Sequence, residues 1–291
     1  MAISIAEALH QSLTALASVS ETARLDGEVW LARVLGAERS WLLAHGEQPL
    51  SERQASDWAS GLQRLAAGEP LPYLLGEWEF YGLTFQVSPA VLIPRPETEL
   101  LVEEAIGWLR GRKAQAQPYA PARAADVGTG SGIIPIAIAA NVADVHFHAI
   151  DLSAEALAVA QSNVARHGLS QRIRLQRGDL LAALHTPLDL ITANLPYIPS
   201  PRVPTLAVAA WEPQIALDGG ADGLVLIRTL LQQAQQCLQP GGLLLEEIDP
   251  ELEDASLHLA RQTWPSAQVD VLPDLAGRPR LLRVALAGEL A

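Results

Sequence analysis

The sequence of 291 residues contains a single cysteine, Cys237. One thiol excludes an internal disulfide framework and a cysteine-rich zinc site, and no metal site is expected. Cys237 lies in a helical stretch, where the role of a small buried hydrophobe is expected. Basic residues are scarce: 20 Lys and Arg stand against 33 Asp and Glu, a net charge of -13. That balance argues against a broad electrostatic footprint for nucleic acid, so direct nucleic-acid binding is not expected; it leaves room only for a small local basic patch. No apolar run approaches membrane-spanning length, and Glu7 stands where a signal peptide would carry a basic flank. Neither a membrane association nor a signal peptide is expected, and the expected location is the cytoplasm. Core-forming residues, by contrast, are abundant. A hydrophobic content of 49% over this length supports one large domain plus a small one.

From Ile3 to about Gly68 the pattern is helical, with no strand signal. Ile5, Leu9, Leu13 and Leu16 recur at helical spacing, as do Val29, Trp30, Ala32 and Leu35. Ser51 with Gln54 has the form of a capping box ahead of Trp58, Leu62 and Leu65. Such a bundle serves equally as a packing or dimerisation module or as a docking domain for a large substrate. The character changes at Pro70-Leu71-Pro72-Tyr73. Between Gly76 and Ile93, the apolar residues Trp78, Phe80, Leu83, Phe85, Val87, Val91 and Ile93 fall near every second position around Tyr81-Gly82, which predicts a hairpin. In Pro94-Arg95-Pro96-Glu97-Thr98-Glu99, two prolines hold the backbone extended, and acidic residues open a helix from Leu100 to Leu109. This rigid segment is either a linker or the wall of a site.

After a polar stretch from Gly111 to Pro121, strands and helices alternate. Ala124 to Val127 reads as a strand, Gly128-Thr129-Gly130-Ser131-Gly132 as a tight turn, Ile133 to Ala140 as a helix, and Val145 to Ile150 as a second strand ending in Asp151. Asp151 follows Gly132 by 19 positions, the spacing of a nucleotide-binding crossover. Glycines let the backbone approach the ligand, and the acidic side chain accepts hydrogen bonds from ribose hydroxyls. No Gly-Lys-Ser/Thr follows the turn, which excludes a P-loop. The glycines occupy the first, third and fifth positions, not the first, third and sixth of a dinucleotide fingerprint. Farther on come a helix from Ala154 to His167, a strand from Ile173 to Gln176, and Gly178-Asp179-Leu180. Asp179 is placed for an adenine amino group with Leu180 against the ring, or else as a helix cap. The apolar run Leu188 to Ala193 reads as a buried parallel strand delivering Asn194-Leu195-Pro196-Tyr197 at its carboxyl end, where open α/β sheets bind ligands. Asp222 to Leu238 reads as a helix, Leu243 to Ile248 as a fifth strand, and Gln268 to Leu272 with Leu281 to Ala285 as a terminal pair, the last antiparallel. Glu246 and Glu247, at that fifth strand's end, are expected to be solvated or capping.

These residues carry a family resemblance. Gly128 to Gly132, Asp151, Asp179 and Asn194 to Tyr197 resemble the motifs of class I S-adenosylmethionine-dependent methyltransferases that modify a planar amide or amino nitrogen. More narrowly, Phe80-Tyr81-Gly82-Leu83, Leu92 to Glu99, Glu212-Pro213 with Gly219 to Gly223, and Asp274 to Arg278 resemble the bacterial peptide chain release factor glutamine methyltransferases. The chain departs from that family at Leu195, where Pro is usual, and at Asp249, where Gly is usual. The resemblance implies an α/β fold: a Rossmann-like seven-stranded methyltransferase domain over 95–291, a small helical substrate-docking domain over 1–75, and a hairpin linker over 76–94. It implies an enzyme that transfers methyl from S-adenosyl-L-methionine to a glutamine side-chain amide in release factors, within a Gly-Gly-Gln loop. The alternatives are a ribosomal-protein glutamine or a nucleic-acid adenine, since Asn-Leu-Pro-Tyr also resembles the ribosomal RNA adenine dimethyltransferases. The implied cofactor site comprises Gly128, Thr129, Gly130, Ser131, Gly132, Asp151, Asp179, Leu180 and Asn194; Pro94, Arg95, Pro96 and Glu97 form a substrate wall.

The chemistry follows from the residue types. An amide nitrogen is a poor nucleophile whose hydrogens are donors, so its site must supply acceptors. The Asn194 side-chain oxygen and the Leu195 carbonyl are the candidate acceptors, with Pro196 holding the loop and Tyr197 packing on the flat face of the substrate. A backbone acceptor survives the change from Pro to Leu at 195, although Pro stiffens the turn.

Overall fold

The computed structural model describes residues 3–115 and 120–288. Residues 116–119, within the polar Gly111 to Pro121 stretch, lie outside the described residues. The chain divides into two compact units, Met1–Glu77 and Trp78–Ala291.

The first unit is helical: α1 (Ile5–Leu16), α2 (Ala23–Leu35), α3 (Arg39–Ala44), α4 (Glu52–Ala66) and α5 (Leu71–Leu75). Ser4 with Glu7 and Ser51 with Gln54 both form complete capping boxes, which satisfy the free amides that open α1 and α4. Ile5, Ala8, Leu31, Leu42, Leu50 and Trp58 form its buried core. Trp30 lies so close to α4 that a side-chain carbon on Gly61 would stand 2.1 Å from its ring.

The second unit opens with a hairpin partner pair, β1 (Glu77–Phe80) and β2 (Leu83–Gln86). Residues 87–93 continue without strand pairing through a turn in which the Val91 amide donates to the Ser88 carbonyl at 3.0 Å, so the apolar spacing there reflects burial of Val87, Val91 and Ile93 along a loop. Then α6 (Glu99–Gln115) precedes the main sheet: β3 (Ala122–Val127), α7 (Ile133–Asn141), β4 (Val145–Asp151), α8 (Ala154–Arg166), β5 (Ile173–Arg177), β6 (Leu188–Ala193), α9 (Val225–Ala234), β7 (Leu238–Glu247), α10 (Glu253–Thr263), β8 (Gln268–Pro273) and β9 (Pro279–Ala285). The seven-stranded sheet has the order β5-β4-β3-β6-β7-β9-β8, and β9 runs antiparallel between β7 and β8. One buried cluster joins α6, α7 and α8 to one face; a second joins α9 and α10 to the other. With both faces covered, the inner strands are buried along their length, as in β6, all six residues of which are buried, Asp189 and Thr192 among its apolar neighbours. Among the described residues no helix is long and apolar enough to cross a membrane.

This topology fixes where a ligand binds. Successive connections leave β3 toward β4 on one side and reach β6 on the other, so the crevice at the carboxyl ends of β3 and β6 is the topological switch point. Asn163 of α8 braces that edge: its Nδ2 donates to the Ser131 carbonyl (2.9 Å) and the Gln86 carbonyl (3.0 Å), and its Oδ1 accepts from the Gln86 amide (2.7 Å). The end of β2 and the glycine-rich turn are thereby tied to one buried side chain.

Candidate active site

The turn from Gly128 to Gly132 joins β3 to α7. Gly128, Gly130 and Gly132 have φ of 70°, 54° and 82°, a region in which any other residue is strained. The amides of Gly128 and Thr129 donate to the Ile150 carbonyl at 2.9 and 3.0 Å, drawing the turn over the end of β4. Asp151 completes it: Oδ2 accepts from the Gly130 amide at 2.8 Å and Oδ1 from the Ser153 amide at 2.9 Å. Each oxygen retains a lone pair for a further donor. In the turn after β5, Leu180 has φ of 49°, unusual for a branched residue; the turn brings Leu180 and Asp179 to the same cavity as Asp151. No helix follows Asp179 over residues 180–187, so it caps none.

The cavity at this edge has a volume of ≈ 590 Å³, within the range of small-molecule sites. Every residue of the glycine-rich turn lines it, apart from an interior-facing helix cap at Gly132, together with Asp151, Asp179, Leu180, Asn194, Leu195 and Pro196. Pro94, Arg95 and Thr98 form part of its wall, whereas Pro96 and Glu97 are exposed and stand off it. Tyr197 is also absent from the wall. Its ring packs on the buried cluster beneath the loop, and burial, reinforced by the nearby Glu247 carboxylate, pushes its phenol pKa up. Tyr197 thus stands behind the cavity-lining residues Asn194, Leu195 and Pro196, packed on that cluster.

Several residues that hold Asn194 to Tyr197 in place are not evident from the sequence. Asn194 Nδ2 donates to Thr98 Oγ1 at 3.1 Å, and Thr98 Oγ1 donates to Glu247 Oε2 at 2.7 Å. The Leu195 amide donates to Glu246 Oε1 at 3.2 Å. Glu246 and Glu247, expected to be solvated or capping, are 0% and 2% exposed. The strand carrying them is longer than expected, beginning at Leu238, and is flanked by β6 and β9, so its end is covered by the loop it supports. Burial raises both carboxyl pKa values, that of Glu247 to about 7. Asp126, fully buried on β3, is likewise pushed up by burial to about 7, against the pull of the Thr129 and Thr192 hydroxyls.

Two further fastenings shape the rim. Arg95 pairs with Glu212 at 2.6 Å, joining the proline-rich segment to the Glu212-Pro213 motif; burial raises the Glu212 pKa, and Arg95 opposes the rise. Gly219 and Gly223 pack against the loop after β6 so closely that side-chain carbons there would stand 2.7 Å from the Tyr197 Cα and 2.3 Å from its carbonyl oxygen. Glycine is required at both by this approach. A signal for Thr98 was present in its motif, between the prolines and α6; nothing local marks Glu246 and Glu247.

The switch-point cavity, glycine cradle, strand-end acid and polar strand-end loop define a class I methyltransferase. Two family models match: the PrmC N-terminal domain over residues 7–76 and the methyltransferase small domain over residues 114–209. The release factor glutamine methyltransferase of Moorella thermoacetica is 41% identical over 281 residues, covering 96% of this chain and 97% of that protein. That of Bradyrhizobium diazoefficiens is 41% identical over 270 residues, covering 89% of this chain and 87% of its own. A methyltransferase structure from Pyrococcus furiosus shares the fold with a TM-score of 0.51 at 17% identity, covering 72% of this chain and 91% of that one. The chain belongs to the release factor glutamine methyltransferase family. Membership implies S-adenosyl-L-methionine as methyl donor.

Proposed function

We propose that this enzyme methylates the side-chain amide nitrogen of a glutamine in peptide chain release factors, in the Gly-Gly-Gln loop that the family resemblance implies. The observation that carries the reading is that Asn194 and residues Gly128 to Ser131 of the glycine-rich turn line one cavity, within a chain 41% identical to curated members of the family. The residues present fit an adenosyl cofactor. The glycines leave room for close approach, Asp151 keeps lone pairs for ribose hydroxyls, and Asp179 and Leu180 flank the place for the adenine. When bound, S-adenosyl-L-methionine supplies an electrophilic methyl group on a sulfonium.

The chain's own residues do the rest. Asn194 Oδ1 and the Leu195 carbonyl accept one amide hydrogen each, which orients the nitrogen and favours the positive charge it gains as the C–N bond forms and the C–S bond breaks. The nitrogen then sheds a proton to solvent, having become far more acidic, and no general base is required beforehand. Pro94 and Arg95 wall the cavity. In this reading residues 1–75 dock the protein substrate, residues 76–94 link, residues 95–291 carry the transfer, and the enzyme works in the cytoplasm.

Incubation with labelled cofactor and a release factor is expected to label the Gln-containing peptide. Asp151→Ala is expected to weaken cofactor binding about tenfold or more in calorimetry, whereas Asn194→Ala lowers kcat with cofactor affinity retained. Absence of label in that peptide overturns the reading. Label in a ribosomal protein or in RNA would move the substrate to that class instead.

A further inference from the structure

We propose that Thr98 and Glu247 are positioning residues that determine which end of the Asn194 side-chain amide faces the cavity. The inference rests on the reading of Asn194 given under Proposed function. Three separate parts of the chain meet here: the short turn ahead of α6, the loop after β6 and the end of β7. Thr98 is 1% exposed and its hydroxyl has two neighbours, Glu247 Oε2 at 2.7 Å and Asn194 Nδ2 at 3.1 Å. A hydroxyl has one proton to give. A carboxylate accepts only, so that proton is committed to Glu247, and what remains toward Asn194 is a lone pair. Only the NH2 end of the Asn194 amide suits a lone pair. The reversed amide would set two acceptors against each other with no proton between them.

The consequence appears at the other end of the same side chain. Asn194 Oδ1 takes no hydrogen bond from a described residue, and Asn194 lines the cavity. The relay thus presents an acceptor to the site, which is what a substrate amide nitrogen with two hydrogens requires and what a substrate carbonyl does not. It also accounts for a buried carboxyl at the end of β7 that has no place on the cavity wall.

The relay depends on Glu247 being an acceptor. Once protonated, Glu247 can donate to Thr98, which frees the Thr98 proton for Asn194 Oδ1 and lets the amide turn over. The charged and titratable groups around Glu247 come from every element packed on it: Glu97 and Arg95 from the segment ahead of α6, Arg280 from β9, Tyr197 from the loop after β6, and Glu246 on its own strand. Burial outweighs the Thr98 hydrogen bond and the two arginines and raises the Glu247 pKa to about 7.

The test compares kcat against pH for the full chain, with saturating cofactor and release factor, in the wild type and in Thr98→Val, Thr98→Ser and Glu247→Gln. The wild type is expected to lose kcat on the acid side with a midpoint near pH 7. Thr98→Val, which keeps shape and removes the hydroxyl, is expected to lower kcat about 100-fold, flatten that limb and leave the cofactor Kd within about twofold. Thr98→Ser restores both rate and limb. Glu247→Gln removes the titration and so the limb, and it serves as the decisive variant if Thr98→Val does not fold. Wild-type kcat in Thr98→Val, or an unchanged limb in Glu247→Gln, overturns the relay. A wild-type enzyme that labels no release factor overturns the functional reading instead.

Discussion

At the scale of single residues, Leu195 shows how a departure from family pattern acquires a physical role. Pro at this position stiffens a turn but has no amide hydrogen to give. Here the Leu195 amide donates to Glu246 Oε1, the only hydrogen bond that fully buried carboxyl receives among the described residues, its Oε2 having none. The Leu195 side chain is 2% exposed and lies against the glycine-rich turn, within 3.0 Å of where a Gly128 side-chain carbon would be. Leu195→Pro, although it matches the family's usual residue, is therefore expected to destabilise this chain by about 1–3 kcal/mol, because it strands a buried polar group. Urea denaturation measures it; equal or greater stability in the variant would contradict the account. The sequence identified Leu195 as a site residue, but its hydrogen-bond partner lies 51 positions away and no local pattern signals it.

At the scale of elements, the Asn194 to Pro196 segment is held by what packs around it more than by its own residues. Behind it lies Tyr197 on the buried cluster; beside it, the Gly219 to Gly223 segment, with Gly219 N bonded to the Ile198 carbonyl at 2.8 Å and Ile198 N to the Leu217 carbonyl at 3.1 Å. Asp218 fastens the same corner by accepting from Ser200 Oγ at 2.6 Å and from the Gly220 amide at 2.9 Å. A methyl group at position 219 would stand 2.7 Å from the Pro196 carbonyl oxygen, an approach that backbone cannot yield without moving the loop. Gly219→Ala is accordingly expected to lower kcat about 100-fold by displacing Asn194, with cofactor affinity little changed. Steady-state kinetics alongside calorimetry separates the two effects, and a parallel loss of cofactor binding would show that the displacement reaches the glycine cradle.

At the scale of the whole molecule, the buried acids set a conflict between stability and activity. Asp126 and Glu247 have pKa values near 7 in the fold, above the ordinary 3.8 and 4.5, and Glu246 is also raised. A carboxyl whose folded value is raised binds more protons folded than unfolded, so stability falls as pH rises from about 4 to about 7 and the loss is complete above that. The opposite sign belongs to Asp270, held low by its hydrogen bonds with Arg283, and to Glu28, held low by Arg39 and Arg24. Their contribution is present above the unfolded carboxyl range and is lost as pH falls from that range through the lowered folded values. Calorimetry is expected to give a higher Tm at about pH 5.5 than at about pH 8.5, a difference that shrinks in Asp126→Asn. A Tm that rises over that interval would overturn the assignment. Activity is expected to move the other way, because the Thr98 relay needs Glu247 charged.

What the sequence by itself determined is what repeats locally or follows chain order. Helical spacing and the Ser51–Gln54 capping box marked the small helical unit; the alternation of strands and helices with the glycine turn and Asp151 marked the sheet and its ligand edge, since parallel crossovers are right-handed and leave few topologies. The Asn194 to Tyr197 loop was visible because it ends a buried strand. Only the tertiary structure decided that Tyr197 faces the core, that Thr98 and Glu247 bond to a side chain on a third element, and that two carboxylates at a strand end are buried. Hydrogen-bond direction and desolvation depend on atoms brought together across 149 positions between Thr98 and Glu247. No periodicity in the chain encodes that distance.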